Sequence, residues 1–156
     1  MDSKALSLLI LGLVIGAVCG FLGGYLSRPQ QTIHFGNSQL LIDLNNLIEK
    51  ELSSKLSKPK LIKLFGDDTL SVFLGILPPG AEIKAHYHQS HDETVYVIKG
   101  SGEMLINGSW VSIRAGEIHY NPAGKVHATK NIGNEPLVVI VIFTPAMNKP
   151  DRHFVS

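Results

Sequence analysis

Cysteine is almost missing from this 156-residue chain. With Cys19 alone, no intramolecular disulfide can form and no cysteine-rich zinc module is possible. Net charge is equally scarce. Fourteen basic side chains against 13 acidic ones leave +1, so there is no broad field to argue for nucleic acid as a partner. The length excludes two full catalytic domains, because single domains cluster at about 100–150 residues. No phosphate-cradling glycine loop, nucleophile elbow or reductase motif occurs, which leaves Ser-His-Asp hydrolases and nucleotide-driven enzymes unsupported. Histidine is the one unusual count, with seven in 156 residues.

Charge is also missing locally. Residues 5–27 carry no charged side chain, and at about 1.5 Å rise per residue that run spans a hydrocarbon core of about 30 Å. It reads as a transmembrane helix within a first segment, 1–28. A cleaved secretory signal is the competing reading, but the run exceeds the usual apolar region and no cleavage pattern follows it. Gly12, Gly16, Gly20 and Gly24 recur every fourth residue and lay a bare stripe on one helix face. Such stripes let a second helix approach closely in lipid, so a partner helix is expected, from a second copy or another subunit. Lys4 and Arg28 balance each other across the span, and the free amine tips the orientation towards an inside amino terminus, with the remainder extracytoplasmic.

A connector, 29–59, follows. Leu40, Leu41, Leu44, Leu47, Ile48, Leu52 and Leu56 recur at helical spacing, predicting an amphipathic helix over 38–57 that Asn37 or Ser38 caps and Pro59 stops. Its apolar ridge needs a cover. Packing on the following domain is the ordinary solution; a partner helix or the bilayer surface, near Lys50, Lys55, Lys58, Lys60 and Lys63, would also serve.

From Lys60 the pattern changes to short runs rich in Val, Ile, Leu and aromatics, punctuated by Gly, Pro and Asn. Strands are expected at 61–65, 70–77, 83–88, 93–99, 102–106, 110–113, 118–121, 127–131 and 137–143. Asn107-Gly108 suits a tight hairpin turn, since both residues accept positive φ. The fold class is therefore all-β, a closed antiparallel barrel or jelly roll over 60–148, with a tail at 149–156.

His86 and His88 stand two apart, so on a strand they leave one face about 6–7 Å apart at Cα, and one cation fits between them. Glu93 follows after a stretch long enough to turn, and His127 arrives beyond Pro122-Ala123-Gly124. Three imidazoles and a carboxylate suit one divalent transition metal ion: zinc, iron, manganese, nickel or copper. Calcium and magnesium prefer all-oxygen shells. Glu93 is favoured over Asp92 because Glu93, Val95 and Val97 share a face. His91 is a nearby alternate or supporting group. One of His119 and Tyr120 faces the interior. Lys84 shares parity with His86 and His88, although exposure is the ordinary state for a lysine near a strand start. His34 and His153 are expected in solvent.

These spacings resemble a known superfamily. Gly80 to Gly100 reads G-x5-H-x-H-x4-E-x6-G, and Gly116 to Asn131 reads G-x5-P-x-G-x2-H-x3-N; all ten fixed positions are present, separated by fifteen residues. The two stretches are similar to the paired motifs of the cupins. The resemblance implies a small antiparallel jelly-roll barrel with His86, His88, Glu93 and His127 turned inward onto a metal. It implies no particular reaction, because cupins include dioxygenases, isomerases, decarboxylases and sugar-binding regulators. The anchor and connecting helix lie outside that pattern. Together these features predict a membrane-anchored metal-binding cupin acting as an accessory or small-ligand-binding subunit of a membrane assembly. A metal-dependent enzyme of the dioxygenase or isomerase type, acting on a small molecule, is the alternative.

Overall fold

A computed structural model of the chain describes residues 34–35, 38–39 and 41–155. The proposed span at 5–27 and its glycine stripe lie outside the described residues. Among the described residues, no helix is long and apolar enough to cross a membrane.

A two-residue pair, β1 (His34–Phe35) and β2 (Ser38–Gln39), precedes one helix, α1 (Leu44–Leu52). Ten strands follow: β3 (Lys60–Gly66), β4 (Ser71–Leu77), β5 (Glu82–Tyr87), β6 (Asp92–Lys99), β7 (Ser101–Ile106), β8 (Ser109–Arg114), β9 (Ile118–Asn121), β10 (His127–Lys130), β11 (Leu137–Thr144) and β12 (His153–Phe154). They form two five-stranded antiparallel sheets, ordered β12-β5-β10-β7-β8 and β3-β4-β11-β6-β9. Neighbours distant in sequence alternate between the sheets, giving a jelly-roll sandwich as expected.

Strict alternation sorts each strand between two cores. On β11, Leu137, Val139, Val141 and Phe143 face the space between the sheets, where they meet Leu77, Val95, Val97, Met104 and Ile113. Val138 and Ile140 face the opposite way. There they join Leu74 and Ile76 of β4 beneath α1, whose Leu44, Leu47, Ile48 and Leu52 close the layer together with Leu56. Leu74, Ile76 and Val138 are wholly inaccessible, and burying each stabilises the fold by about 1.5–3 kcal/mol relative to exposure. The helix ridge is thus covered by the barrel.

The helix is shorter than its periodicity predicts. Asp43, rather than Asn37 or Ser38, is the cap, its carboxylate accepting from the Asn46 N–H at 2.9 Å, while Ser38 and Gln39 pair as a strand and Leu41 lies exposed. At the other end the Ser53 and Ser54 hydroxyls donate to the carbonyls of Lys50 and Glu51 and take over the last turn. The tail differs too. It returns to the sheet as β12 along β5, with the Val155 N–H donating to the Ala85 carbonyl.

Turn chemistry fixes the register. Asn107 and Gly108 both take positive φ between paired Ile106 and Ser109, as a two-residue hairpin requires. Gly100, at φ +83°, leaves no room for a side chain, since a Cβ there would stand 2.6 Å from the Pro136 carbonyl oxygen.

Candidate metal centre

Three strand ends meet at one end of the sandwich. His86 lies near the end of β5 with His88 just past it, Glu93 near the start of β6, and His127 opens β10. His127 pairs directly with His86 across the first sheet, and Glu93 comes from the second. All four are buried, with 2% exposure for each histidine and 7% for the glutamate.

A β-bulge aims the histidines. Ile83 pairs with Thr129 and His86 with His127, so Lys84 and Ala85 together oppose the single residue Ala128. The extra residue switches parity. Ile83 therefore packs in the core while His86 and His88 also turn inward, and Lys84 is left exposed. Strict alternation would have turned Ile83 outward if the histidines faced in.

Each imidazole is held by its Nδ1. That atom lies 2.8 Å from the Lys84 carbonyl in His86, 2.6 Å from the Asp151 carbonyl in His88 and 3.0 Å from the Lys125 carbonyl in His127. A carbonyl only accepts, so each Nδ1 carries the proton and each Nε2 presents a lone pair. All three Nε2 atoms are buried without a hydrogen-bond partner. They converge on the Glu93 carboxylate, and the four ligand atoms lie within 4.8 Å of one another. His88 Nε2 is 3.4 Å from Oε2, and His127 Nε2 is 3.5 Å from Oε1. Ligands about 2.1 Å from a tetrahedral ion stand about 3.4 Å apart, so these spacings match a shared shell. Isolated lone pairs with no donor are costly when buried, and a cation satisfies all three together.

Electrostatics agree. Burial pulls His86 down to about 4, against the Lys84 carbonyl, and keeps it neutral. Burial pushes Glu93 up, but His127 and His88 more than offset this and hold its carboxyl well below the usual range. Burial lowers His127, and the Glu93 carboxylate overrides it, leaving a net rise. Without an ion, Glu93 thus draws a proton to His127. The Asn121 amide, directly opposite Glu93 on β9, donates to Oε1 at 2.9 Å and orients it.

Asp151 is a supporting residue that sequence reasoning missed. Besides its carbonyl on His88, its carboxylate accepts from the backbone N–H groups of Gln89 and Ser90 at 3.2 and 2.9 Å and meets His91 Nδ1 at 2.5 Å. His91 is therefore a supporting group. His153 is exposed as expected, and it contacts the same carboxylate at 3.1 Å and stacks on Tyr87. No local motif surrounds Asp151 in the tail, so nothing in the sequence marked it. Of the pair left open on β9, Tyr120 is exposed and His119 lies opposite core Val95.

The Cupin_2 family, described as a cupin domain, matches residues 73–143. An uncharacterized protein of Aquifex aeolicus is 32% identical over 109 residues, covering 70% of this chain and 87% of that one. The chain belongs to the cupin superfamily. An oxalate-binding protein of Thermotoga maritima is 33% identical over 66 residues, 42% of this cupin and 54% of the relative. Other relatives differ in activity: an oxalate decarboxylase of Bacillus subtilis (34% over 80 residues, 48% of this chain and 21% of that one) and a glucose-6-phosphate isomerase of Thermococcus onnurineus (39% over 67 residues, 38% and 35%). Among solved structures, a Klebsiella pneumoniae protein with a double-stranded β-helix domain superposes with TM-score 0.54 at 28% identity, over 59% of this cupin and 81% of that protein.

Proposed function

We propose that this cupin binds one divalent transition metal ion on His86, His88, Glu93 and His127 and uses it to hold a small ligand, as a membrane-anchored accessory or binding subunit. The observation that carries this reading is the set of three orphaned Nε2 atoms, each locked in the ligating tautomer by a backbone carbonyl, around one ionised carboxylate. An ion held by these four residues that expands beyond four ligands would keep a position for a small ligand. When bound, the ion supplies a Lewis-acid centre that attracts an anionic oxygen. The chain's own residues fix the ligand shell, bury it, and hold each Nδ1–H on a backbone carbonyl so that each Nε2 faces the ion site.

The surroundings favour binding over turnover. Phe143 sets its ring edge-on to His88 at 5.1 Å and packs with Val95 and Val141 in the apolar core. A small carboxylate such as oxalate suits this centre and agrees with the name of the Thermotoga relative. The enzymatic reading draws on the decarboxylase and isomerase relatives. Turnover of oxalate by the metal-loaded protein would favour the enzyme, and retention of intact oxalate the binding module.

The anchor rests on the uncharged run 5–27, and a helix partner on Gly12, Gly16, Gly20 and Gly24. The barrel then lies on the extracytoplasmic side. Full-length protein should resist alkaline carbonate extraction from membranes and be labelled from outside intact cells. Release by carbonate, or labelling only after lysis, would contradict this placement.

A further inference from the structure

Every buried side-chain nitrogen or oxygen recorded without a partner among the described residues belongs to one of two groups. Three are the Nε2 atoms of His86, His88 and His127, which the ion accounts for; the other two are both ring nitrogens of His119. His119 is not one of the four residues whose ligand atoms cluster. Its position is nonetheless next to them. On the β6–β9 pair, Glu93 lies opposite Asn121 and Val95 opposite His119, so His119 occupies the adjacent inward row, diagonal to the carboxylate ligand. Diagonal neighbours on one sheet face stand about 7–8 Å apart at Cα, within reach of one short molecule.

Leaving a buried donor unsatisfied costs about 1–3 kcal/mol, and this residue lies directly opposite the core residue Val95. An apolar residue there would remove the cost. Burial also keeps the imidazole neutral by lowering its pKa, so it offers one N–H donor and one lone pair. A divalent ion with one carboxylate ligand retains a net positive charge, which selects an anion. The adjoining N–H then selects an acceptor oxygen on that anion.

We propose that His119 is the hydrogen-bonding anchor for a small carboxylate ligand held beside the metal ion, an inference that rests on the metal reading above. One carboxylate oxygen takes an open position on the ion, and another accepts from the His119 ring. His119 is a ligand contact and holds no metal.

The test uses the full-length chain in detergent, loaded with zinc, and follows oxalate by titration calorimetry in wild type, His119→Gln and His119→Phe, with metal content and thermal midpoint measured on each. All three should hold the same metal. Oxalate affinity should fall at least tenfold in His119→Phe, with His119→Gln, which keeps a donor, much closer to wild type. The metal-free midpoint of His119→Phe should not fall below that of wild type. Unchanged oxalate affinity in His119→Phe overturns the assignment, as does absence of oxalate binding by zinc-loaded wild type. Joint loss of metal and oxalate in His119→Phe also overturns it, because the residue would then serve the metal shell. Failure of the underlying metal reading looks different: wild type itself would take up no stoichiometric zinc.

Discussion

Two buried regions of this barrel are built on opposite rules. Beneath α1, Leu74, Ile76, Val138 and Ile48 form a layer with no polar atom left to satisfy. At the strand ends, four buried polar side chains are pinned by backbone carbonyls and an amide so that their remaining lone pairs face one another. The first region gains stability from burial alone. The second forgoes it, since lone pairs without donors are unfavourable in a dry interior. Burial therefore identifies a core only where polar atoms are matched; where they are systematically unmatched and mutually aimed, it identifies a site.

Breaking either region should give a distinct signature. The largest effect is expected in the apolar layer, where Leu74→Ala should lower unfolding free energy by about 2–5 kcal/mol in denaturant titration, with metal stoichiometry unchanged. Loss of metal in that variant would show the regions to be coupled. Next, zinc at about 100 times its dissociation constant should raise stability by about 2.7 kcal/mol, and His127→Ala should abolish the gain. Equal stabilisation of His127→Ala would detach the ion from this site.

Acid should separate the regions as well. The pKa of His86 in the fold is depressed from its ordinary 6.5 to about 4. The unfolded chain therefore binds the proton first, so this contribution to stability is complete above about 6.5 and lost as pH falls towards 4. A metal-free thermal midpoint that holds steady across that window would contradict the buried, neutral assignment. The smallest effect is expected at Asp151. Asp151→Ala should release the loop at 89–91 but keep the backbone carbonyl on His88, and so weaken zinc binding by about tenfold, the low end of what lost supporting contacts cost. Unaltered zinc affinity would leave the tail as packing only.

Much of this organisation was legible beforehand. The nine expected strands all occur, their ends shifted by a residue or less, because period-two alternation and turn residues such as Asn107-Gly108 and Gly100 act locally. The spacing of His86 and His88 and the two motif stretches named the four residues whose ligand atoms lie together. The bulge at Lys84 and Ala85 was hidden, since parity alone could not allow both Ile83 and His86 to face inward. The helix start was misjudged because periodicity at Leu40 and Leu41 carries no information on which side chain caps, and Asp43 does so. Asp151 and β12 were invisible because two paired residues show no period and the contacts to His88 and His91 bridge about sixty positions of chain.

The account stands on one ion shared by four side chains. X-ray absorption on zinc-loaded full-length protein, with metal counted per chain, tests it most directly. One zinc per chain with nitrogen and oxygen ligands at about 2.0–2.2 Å, lost in His127→Ala, is the expected result. A shell containing sulfur, or one that persists unchanged in His127→Ala, would contradict it.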